Sequence, residues 1–325
     1  HGYEILIETA KFWESRVVYN EKHNYFEIRN VIGPDEFHEN VNNNAYTNAM
    51  ARWNIFIAYS ILQKIKNDDS TLYKDLIDKF KIDKRRINRW KKIIDCIHIG
   101  KKSSGIIEQF DGFSSLKAIP VNEFGINGMP MIPSSIELKF IGQYKLIKQA
   151  DVVMLLYTLP EMFTLQQMKR NYDYYQTMTI HKSSLSPSMH AIVAAKIGKT
   201  KEAFKYYSIS SNADLEDLHK NTKEGMHAAN LGGTWQMLIH GFAGVNVFKN
   251  SLCIYPRLPK QIRSLKFKIS WHGFSLNIDL NKDLVKIDPG KRVRRELSLK
   301  CSRVKIKVFN KTYTLVNNKQ LTIQR

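Results

Sequence analysis

Apolar side chains recur at three- and four-residue spacing through the first 244 residues, with clusters of glycine, proline and asparagine between the repeats. This spacing gathers the apolar side chains on one face of an α-helix. It predicts a first helix around residues 5–13 and a longer second helix over residues 46–62. The further predicted helices cover residues 83–97, 143–157, 163–175, 187–198, 200–207 and 226–243.

Between the first two helices, residues 23–31 alternate apolar and polar side chains in the manner of a short hairpin arm. Otherwise the predicted helices follow one another with no strand-helix-strand pattern between them. Such a series favours a mainly α fold built as a layer of antiparallel helix hairpins.

Beyond Gly244 the period of the apolar positions changes to two, which is typical of half-buried strands. Turns such as His272-Gly273 and Asn317-Asn318 separate the alternating runs. The pattern predicts a small antiparallel β-sandwich over residues 249–325, so the domain boundary falls near residue 248. The predicted strands cover residues 252–255, 265–271, 274–280, 297–301, 304–309, 312–315 and 321–323.

Composition excludes several classes of protein. Of the 325 residues, 43% are hydrophobic and 25% charged, as in ordinary globular proteins, and no window approaches the ~18 consecutive apolar residues of a membrane span. The first residues, His-Gly-Tyr-Glu, show no export signal, and the absence of an initial Met suggests a fragment. Three widely spaced cysteines disfavour a CxxC motif and a disulfide framework, so we expect a cytoplasmic protein.

The charge balance is strongly basic. Lys and Arg number 50 against 30 Asp and Glu, and the net charge of +20 attracts polyanions such as nucleic acid or an acidic membrane surface. The lysines are scattered along predicted helix faces, however, and the sequence has no zinc-finger spacing and no basic heptad array. We therefore predict no specific nucleic-acid partner and no membrane partner.

The most informative segment is Gly-Pro-Asp-Glu-Phe-His-Glu-Asn-Val-Asn-Asn-Asn-Ala-Tyr-Thr-Asn, residues 33–48. Gly-Pro favours a tight turn, and the asparagines supply caps for the helix that follows. A carboxylic acid held on such a loop can act as a general acid if its surroundings raise its pKa. Alternatively, the acidic residues only stabilise the start of the following helix through its dipole; they are Asp35, Glu36 and Glu39. The residues alone leave both interpretations open.

Two further clusters combine a histidine with small or hydroxyl-bearing residues. His181 precedes Ser183 and Ser184 at a predicted helix start, where backbone N–H groups and hydroxyls can bind a phosphate, although paired serines there are usually caps. His227 precedes a Gly-Gly pair at another helix start, where small residues let a ligand approach the backbone. A structural histidine is the alternative at that position.

Five segments, in this order, resemble those of glycoside hydrolase family 65. They are GPDEFHENVNNNAYTN (33–48), IEQFDGF (107–113), IKQADVVMLLY (147–157), HKSSLSP (181–187) and GMHAANLGGTW (225–235). The resemblance implies an (α/α)6 catalytic barrel between a large N-terminal β-sandwich and a C-terminal one. This chain matches the later part of that barrel, over residues 1–248, and the C-terminal β-sandwich, whereas the family's glucose-gripping Trp-Asp pair lies in the half of the barrel that it lacks.

The resemblance also assigns roles to residues within segment 33–48 and on a later predicted helix. It makes Glu36 the general acid of the Pro-Asp-Glu motif, with Glu39 as the competitor in the same loop. It matches Lys148 and Gln149 to a pair that contacts the sugar. Polar groups on an otherwise apolar helix need partners such as ligand hydroxyls, which supports that match.

For phosphate, the resemblance points to Ser183, Ser184 and His227. His181 belongs to the same loop as the two serines. Lys182 stands where the family commonly has Asp, and its extra positive charge would favour phosphate binding if the side chain turns inward.

Most members of the family are inverting phosphorylases of α-linked glucose disaccharides such as maltose, trehalose, kojibiose and nigerose. A bound phosphate can attack the anomeric carbon without the second carboxylate that an inverting hydrolase needs, so the phosphate-binding set favours phosphorolysis. The expected partners are the disaccharide and inorganic phosphate, and the products are β-glucose 1-phosphate and a free sugar. No cofactor and no metal are expected, and a homodimer of the full-length form is compatible with the resemblance.

Two alternatives stay open from the sequence. A hydrolase of the same fold would use water, with Glu224 as the candidate base. An inactive truncated product would keep the motifs without a complete site, because half of the sugar-binding ring is absent. The linkage of the disaccharide is not readable from this one sequence.

Overall fold

The computed structural model describes residues 2–125, 128–218, 220–248, 250–290, 303–316 and 319–325. The chain divides into two compact units, of which the first contains His1–Thr158 and Asp173–Ile180. The second contains Leu159–Tyr172 and His181–Arg325. The described chain is mostly helical, with antiparallel and mixed sheets.

Helices and a β-hairpin make up the first unit. In the hairpin, β1 and β2 pair antiparallel with Val18 opposite Glu27, so the arm predicted over residues 23–31 contains a hairpin strand. The elements of this unit are α1 (Gly2–Arg16), β1 (Val18–Asn20), β2 (Tyr25–Glu27), α2 (Ala45–Asp68), α3 (Ser70–Phe80), α4 (Lys84–Cys96) and α5 (Val152–Thr158).

The core of the first unit lies among α1, α2 and α4. Trp90 of α4 is fully buried, and its indole nitrogen donates to the carboxylate of Glu14 on α1 at 3.0 Å. Ile55 and Leu62, seven residues apart on one face of α2, are buried in the same cluster. The helical period of the sequence is therefore the period of side-chain burial in this unit.

The third helix forms where the sequence patterns predict none. Asp69 caps α3 by accepting a hydrogen bond from the backbone N–H of Leu72 at 3.0 Å. Only Leu76 and Phe80 of this helix are buried, so its apolar stripe is narrow. A stripe of this width is a weak signal in a segment rich in lysine and aspartate.

The helix predicted over residues 143–157 starts later than expected, at Val152. The prediction is wrong up to residue 151, because the backbone there forms hydrogen bonds to distant segments instead of α-helical turns. The N–H of Ile147 donates to the carbonyl of Met178 at 2.9 Å, and the N–H of Lys145 donates to that of Lys117 at 2.9 Å. Apolar side chains in this stretch are buried by tertiary contacts rather than by a helix face.

The helices α7 (Ser186–Lys196), α8 (Thr200–Asn212) and α9 (Ala228–Gln236) belong to the second unit. α7 is buried over nearly its whole length, from Ser186 to Ala195. After α9 the chain continues in wider, π-helical turns over Met237–Phe242. A further helix, α6 (Leu165–Gln176), carries residues of both units.

The described residues of the second unit also form two four-stranded sheets, in the orders β10-β7-β6-β5 and β3-β4-β8-β9. Apolar residues of both sheets, such as Ile278 and Ile306, share one buried core, so the sheets form a sandwich. The strands are β3 (Asn246–Phe248), β4 (Ser251–Ile254), β5 (Leu265–Trp271), β6 (Phe274–Leu280), β7 (Leu284–Pro289), β8 (Arg303–Val308), β9 (Lys311–Val316) and β10 (Leu321–Gln324).

The sandwich is not wholly antiparallel as the sequence predicts. β4 and β8 run parallel, with Leu252 opposite Ile306. A parallel pair needs a long crossover, and here three strands of the other sheet, β5 to β7, lie between the two in the chain. The period of two reports which side chains are buried, and it does not report the direction of the neighbouring strand.

β7 is a strand that the sequence patterns miss, although Val285 and Ile287 alternate with exposed residues and are buried. Its signal is short and ends in a proline. The strand predicted over residues 297–301 and the turn at Asn317-Asn318 lie outside the described residues. Within the described ranges, no helix combines the length and the apolar character that crossing a membrane requires.

Candidate active site

Residues 33–44, here termed the acid loop, lie immediately before α2. Its base is closed by Val31 and Val41, whose backbones exchange two hydrogen bonds of 3.0 Å. Asn44 then caps α2, since its side-chain oxygen accepts from the backbone N–H of Thr47 at 2.9 Å. The predicted cap is therefore present, and none of the three acidic residues of the loop lies in the first turn of the helix.

Asp35 anchors the acid loop to the interior of the first unit. It is 1% exposed. One carboxylate oxygen accepts from the backbone N–H groups of Lys148 at 2.8 Å and Phe37 at 3.2 Å. The other oxygen accepts from the side-chain amide of Gln109 at 3.0 Å and lies 2.6 Å from Nδ1 of His38. These contacts fix the peptide that carries Glu36 to two distant segments of the first unit.

A second buried carboxyl, that of Asp151, lies beside the first. Its Oδ2 accepts from the backbone N–H of Asp35 at 3.3 Å and from the side-chain amide of Asn44 at 3.0 Å. Burial and the nearby charge of Asp35 raise the pKa of Asp151 to about 8. At neutral pH Asp151 is therefore largely protonated, which relieves the repulsion between two buried carboxylates.

Gly33 is required by the close approach of the loop to this cluster. A Cβ atom at this position would lie 2.2 Å from Nδ2 of Asn44 and 2.6 Å from Oδ2 of Asp151. No side chain fits there without displacing the buried hydrogen bonds. The Gly-Pro turn predicted from the sequence thus has a packing reason as well as a conformational one.

Glu36, unlike its neighbour Asp35, points its carboxylate toward solvent, and its side chain is 53% exposed. It forms an ion pair with the ammonium of Lys148 and accepts from the side-chain amide of Gln149 at 3.2 Å. The hydrogen bond from Lys148 is the main cause that lowers the pKa of Glu36. Burial opposes this effect, and the hydrogen bond from Gln149 lowers the pKa further. The structure thus brings Glu36, Lys148 and Gln149 together.

Glu39 has a different environment. It is exposed, and among the described residues its side chain has no hydrogen bond or ion pair. Nothing in its surroundings aims the carboxylate in one direction.

The segment of residues 181–186, here termed the phosphate segment, forms the turn before α7. Ser183 and Ser184 are half-buried there. The hydroxyl oxygen of Ser183 accepts from the backbone N–H of Leu185 at 3.4 Å, which leaves the hydroxyl proton able to point at an acceptor. Lys182 is exposed.

His181 belongs to the interior of the second unit. Its ring nitrogens lie 2.9 Å from the hydroxyl of Ser186 and 3.2 Å from that of Tyr206. Burial, followed by the nearby His190 and Lys205, lowers the pKa of His181 well below its usual value. A buried neutral imidazole supports the turn from within.

His227, immediately before α9, is paired with a carboxylate that the sequence analysis does not identify. Nδ1 of His227 lies 2.5 Å from Oδ1 of Asp214, and its backbone N–H donates to Oδ2 of the same residue at 2.9 Å. Nε2 lies 3.3 Å from the side-chain amide of Asn221. A carboxylate at Nδ1 fixes the orientation of the ring.

Sequence reasoning misses Gln109, Asp151 and Asp214 as members of the site's surroundings. Gln109 and Asp151 lie inside two of the motifs that carry the family resemblance, so a polar residue within an apolar motif was an available signal. Asp214 lies outside every motif and has no such signal. Glu224, the candidate base of a hydrolase, is exposed.

The sequence model of the "Glycosyl hydrolase family 65 central catalytic domain" matches residues 1–236. The chain belongs to family 65. The model of the "Glycosyl hydrolase family 65, C-terminal domain" matches residues 245–315, so both parts of the chain carry the sequence features of this family.

The curated proteins that this chain resembles include kojibiose and trehalose phosphorylases. The kojibiose phosphorylase of Caldanaerobacter subterraneus subsp. tengcongensis is 42% identical over 288 residues, which cover 88% of this chain and 37% of that protein. The kojibiose phosphorylase of Thermoanaerobacter brockii is 38% identical over 97% of this chain and 40% of its own length. The α,α-trehalose phosphorylase of the same organism is 40% identical over 88% of this chain and 37% of its own length.

A solved structure described as a candidate kojibiose phosphorylase from the human microbiome matches with a TM-score of 0.84 and 32% identity. The match covers 100% of this chain and 43% of the solved one. This chain thus spans about two fifths of the length of the family 65 relatives that it matches.

Proposed function

We propose that this chain, as part of a longer protein, carries out the inverting phosphorolysis of an α-glucosidic disaccharide to β-glucose 1-phosphate and a free sugar. The observation that carries the proposal is the pair of carboxyls at residues 35 and 36. Asp35 is buried and held by several donors, whereas Glu36 is exposed beside Lys148 and Gln149. One acid anchors the loop, and the next one in the chain is available to a substrate.

In the proposed reaction, Glu36 is the general acid. A phosphate oxygen forms a bond to the anomeric carbon while the bond from that carbon to the glycosidic oxygen breaks on the opposite face. The proton of Glu36 passes to the departing oxygen, and the electron pair of the broken bond stays with it. Phosphate is the nucleophile, so no second carboxylate is required to activate water.

The lowered pKa of Glu36 without substrate is compatible with this role. Lys148 and Gln149 are donors that sugar hydroxyls can engage, and a bound sugar would draw them away from the carboxylate. Glu36 would then lose the partners that favour its ionised form, so its pKa would rise toward the range of a general acid. Sugar binding and protonation of the acid are thereby coupled.

Phosphate binding is assigned to Ser183, Ser184 and His227. The hydroxyls supply donors at the start of α7, and the backbone N–H groups of a helix start favour an anion. Asp214 fixes the ring of His227, whose Nε2 is the atom that we assign to contact with a phosphate oxygen. The three relatives described above are named as phosphorylases, which supports a phosphate acceptor rather than water.

We further propose that residues 1–248 are the later part of an (α/α)6 barrel and that residues 249–325 are a separate C-terminal β-sandwich domain. Pairs of helices that follow one another in the chain and pack together, such as α1 with α2 and α7 with α8, support the first assignment. The longer protein then supplies the remainder of the sugar-binding ring.

The test is a product analysis of the longer protein with kojibiose, trehalose or maltose, with and without inorganic phosphate. We expect product only with phosphate, and NMR should identify β-glucose 1-phosphate as the first glucosyl product. Release of free glucose from both halves of the disaccharide without phosphate would instead identify a hydrolase. The α-anomer of the phosphate ester would contradict the inverting mechanism.

A further inference from the structure

A cavity of about 410 Å³ opens in the second unit. Its walls are the turn before α6, the end of α7, and the strands β3, β4 and β8, and none of the residues assigned to acid catalysis or phosphate binding lines it. Small-molecule sites have volumes of roughly 300–1,000 Å³, so the cavity can hold a compact organic ligand.

The charges of the cavity wall are unbalanced. Lys196, Arg257 and Lys307 line it, and Glu161 is the acidic residue among the lining residues. Within the described part of the chain, none of the three cations forms an ion pair. The wall therefore carries a net charge of about +2 that the protein itself does not neutralise.

Burial makes this imbalance costly. Burial is the main cause that lowers the pKa of Lys196, the nearby Arg257 adds to it, and Glu161 opposes it only in part. Burial likewise lowers the pKa of Arg257, with a further contribution from Arg325. An anion in the cavity would oppose both pKa changes. Its negative charge would stabilise the charged forms of Lys196 and Arg257, which have lost the hydration that water provides.

Aromatic side chains line the same cavity. Arg257 stacks 4.5 Å from the ring centre of Tyr255 and donates to the backbone carbonyl of that residue at 3.1 Å. Phe163 and Phe248 are further lining residues, and Lys307 lies 6.0 Å from the ring centre of Phe248. These rings offer apolar faces to the body of a ligand whose charged end meets the cations.

We propose that this cavity binds a small phosphate monoester with a flat, apolar body, of which a mononucleotide is the model compound. A phosphate monoester carries about −1.5 to −2 charges at neutral pH, which matches the net charge of the wall. Arg257 has the planar fork that binds two phosphate oxygens at once, and the two lysines act as point charges. The proposal does not depend on the reaction assigned to the chain.

The test is a calorimetric titration of the 325-residue chain with AMP, with adenosine as the uncharged counterpart. We expect one AMP per chain and much weaker binding of adenosine. Arg257→Met and Lys307→Met should each weaken AMP binding by about 10–100-fold, because each removes a charge-assisted hydrogen bond. Lys268→Met removes the same charge from an exposed position on β5 and should change AMP affinity less than about twofold.

Each alternative result contradicts the proposal in a recognisable way. Equal weakening of AMP binding by Lys268→Met would indicate general charge attraction. Equal affinity for adenosine or for inorganic phosphate would exclude a site that binds both the phosphate group and the body of the ligand. Loss of AMP binding in a Ser183→Ala, Ser184→Ala variant but not in Arg257→Met would place AMP at the phosphate segment. If Arg257→Met fails to give a native NMR spectrum, the AMP affinity of Lys307→Met tests the proposal in its place.

Discussion

The acid loop and the phosphate segment use their polar groups in opposite ways. Asp35 is 1% exposed, and its carboxylate contacts four donor groups, so the backbone at Glu36 has little freedom. Ser183 and Ser184 are half-buried, and the hydroxyl of Ser183 accepts one long hydrogen bond from the backbone N–H of Leu185. One region is rigidly bonded within the protein, and the other keeps donors available.

This difference fits the two proposed tasks. A general acid must hold one oxygen at a fixed place, because proton transfer depends steeply on distance and orientation. A phosphate arrives from solution and needs donors that are not already satisfied by the protein. Variants that alter only one of the two regions test this difference.

The largest effect is expected from Glu36→Gln in the longer protein. The amide keeps the shape of the side chain but supplies no acidic proton, so turnover of a disaccharide with a poor leaving group should fall by about 10²–10⁴-fold. Steady-state rates and a circular-dichroism spectrum check the loss and the fold. Glu39→Gln is the matched control and should keep near-normal rates. The reverse result would mean that the acid was assigned to the wrong residue of the loop.

A smaller, phosphate-specific effect is expected when Ser183 and Ser184 are both replaced by Ala in the longer protein. Each lost hydrogen bond to an anion is worth roughly 1.5–3 kcal/mol, so the phosphate concentration for half-maximal rate should rise about 10-fold or more. His227→Ala should act in the same direction. The measurement is initial rate against phosphate at saturating disaccharide.

Disaccharide affinity serves as the internal control in that experiment, since the serines are assigned to phosphate alone. An unchanged phosphate curve in the double variant would show that the phosphate segment only caps α7.

A moderate loss of stability is expected from Gly33→Ala in the 325-residue chain. The added Cβ would overlap Asn44 and Asp151, and relieving the overlap should cost about 1–3 kcal/mol of the free energy of unfolding. Gly232→Ala on α9 is the matched control, because a Cβ there meets no atom within 4 Å. It should be neutral or stabilising by up to about 1 kcal/mol. Denaturant titration measures both, and equal stability of the two variants would contradict the close approach at Gly33.

Replacement of Asp151 should change how the stability of the chain depends on pH. The pKa of Asp151 is raised from 3.8 to about 8 in the folded chain, so the folded state holds a proton that the unfolded state releases. This contribution to stability is complete below about pH 4 and declines as pH rises toward about 8. Asp151→Asn should therefore give a flatter curve of thermal midpoint against pH, whereas the exposed Asp95→Asn should follow the unmodified chain. Parallel curves for all three proteins would show that Asp151 does not hold this proton.

Local patterns were enough to predict much of the secondary structure. The helical period predicts α2 and α7, and the period of two predicts β5 and β6 with their turn at His272-Gly273. The motif of residues 33–48, through its resemblance to family 65, points to Glu36 as the candidate acid. These features depend on neighbouring residues, whose spacing alone decides which face of an element is apolar.

Only the tertiary structure decided the hydrogen-bond partners and the strand directions. Asp35 meets the backbone of Lys148, more than a hundred residues away in the chain, and Asp151 acquires its raised pKa from burial beside that same aspartate. β4 pairs parallel with β8 because three intervening strands return the chain to the same sheet. Such contacts are set by long-range packing, and no spacing of residues within a local window records them.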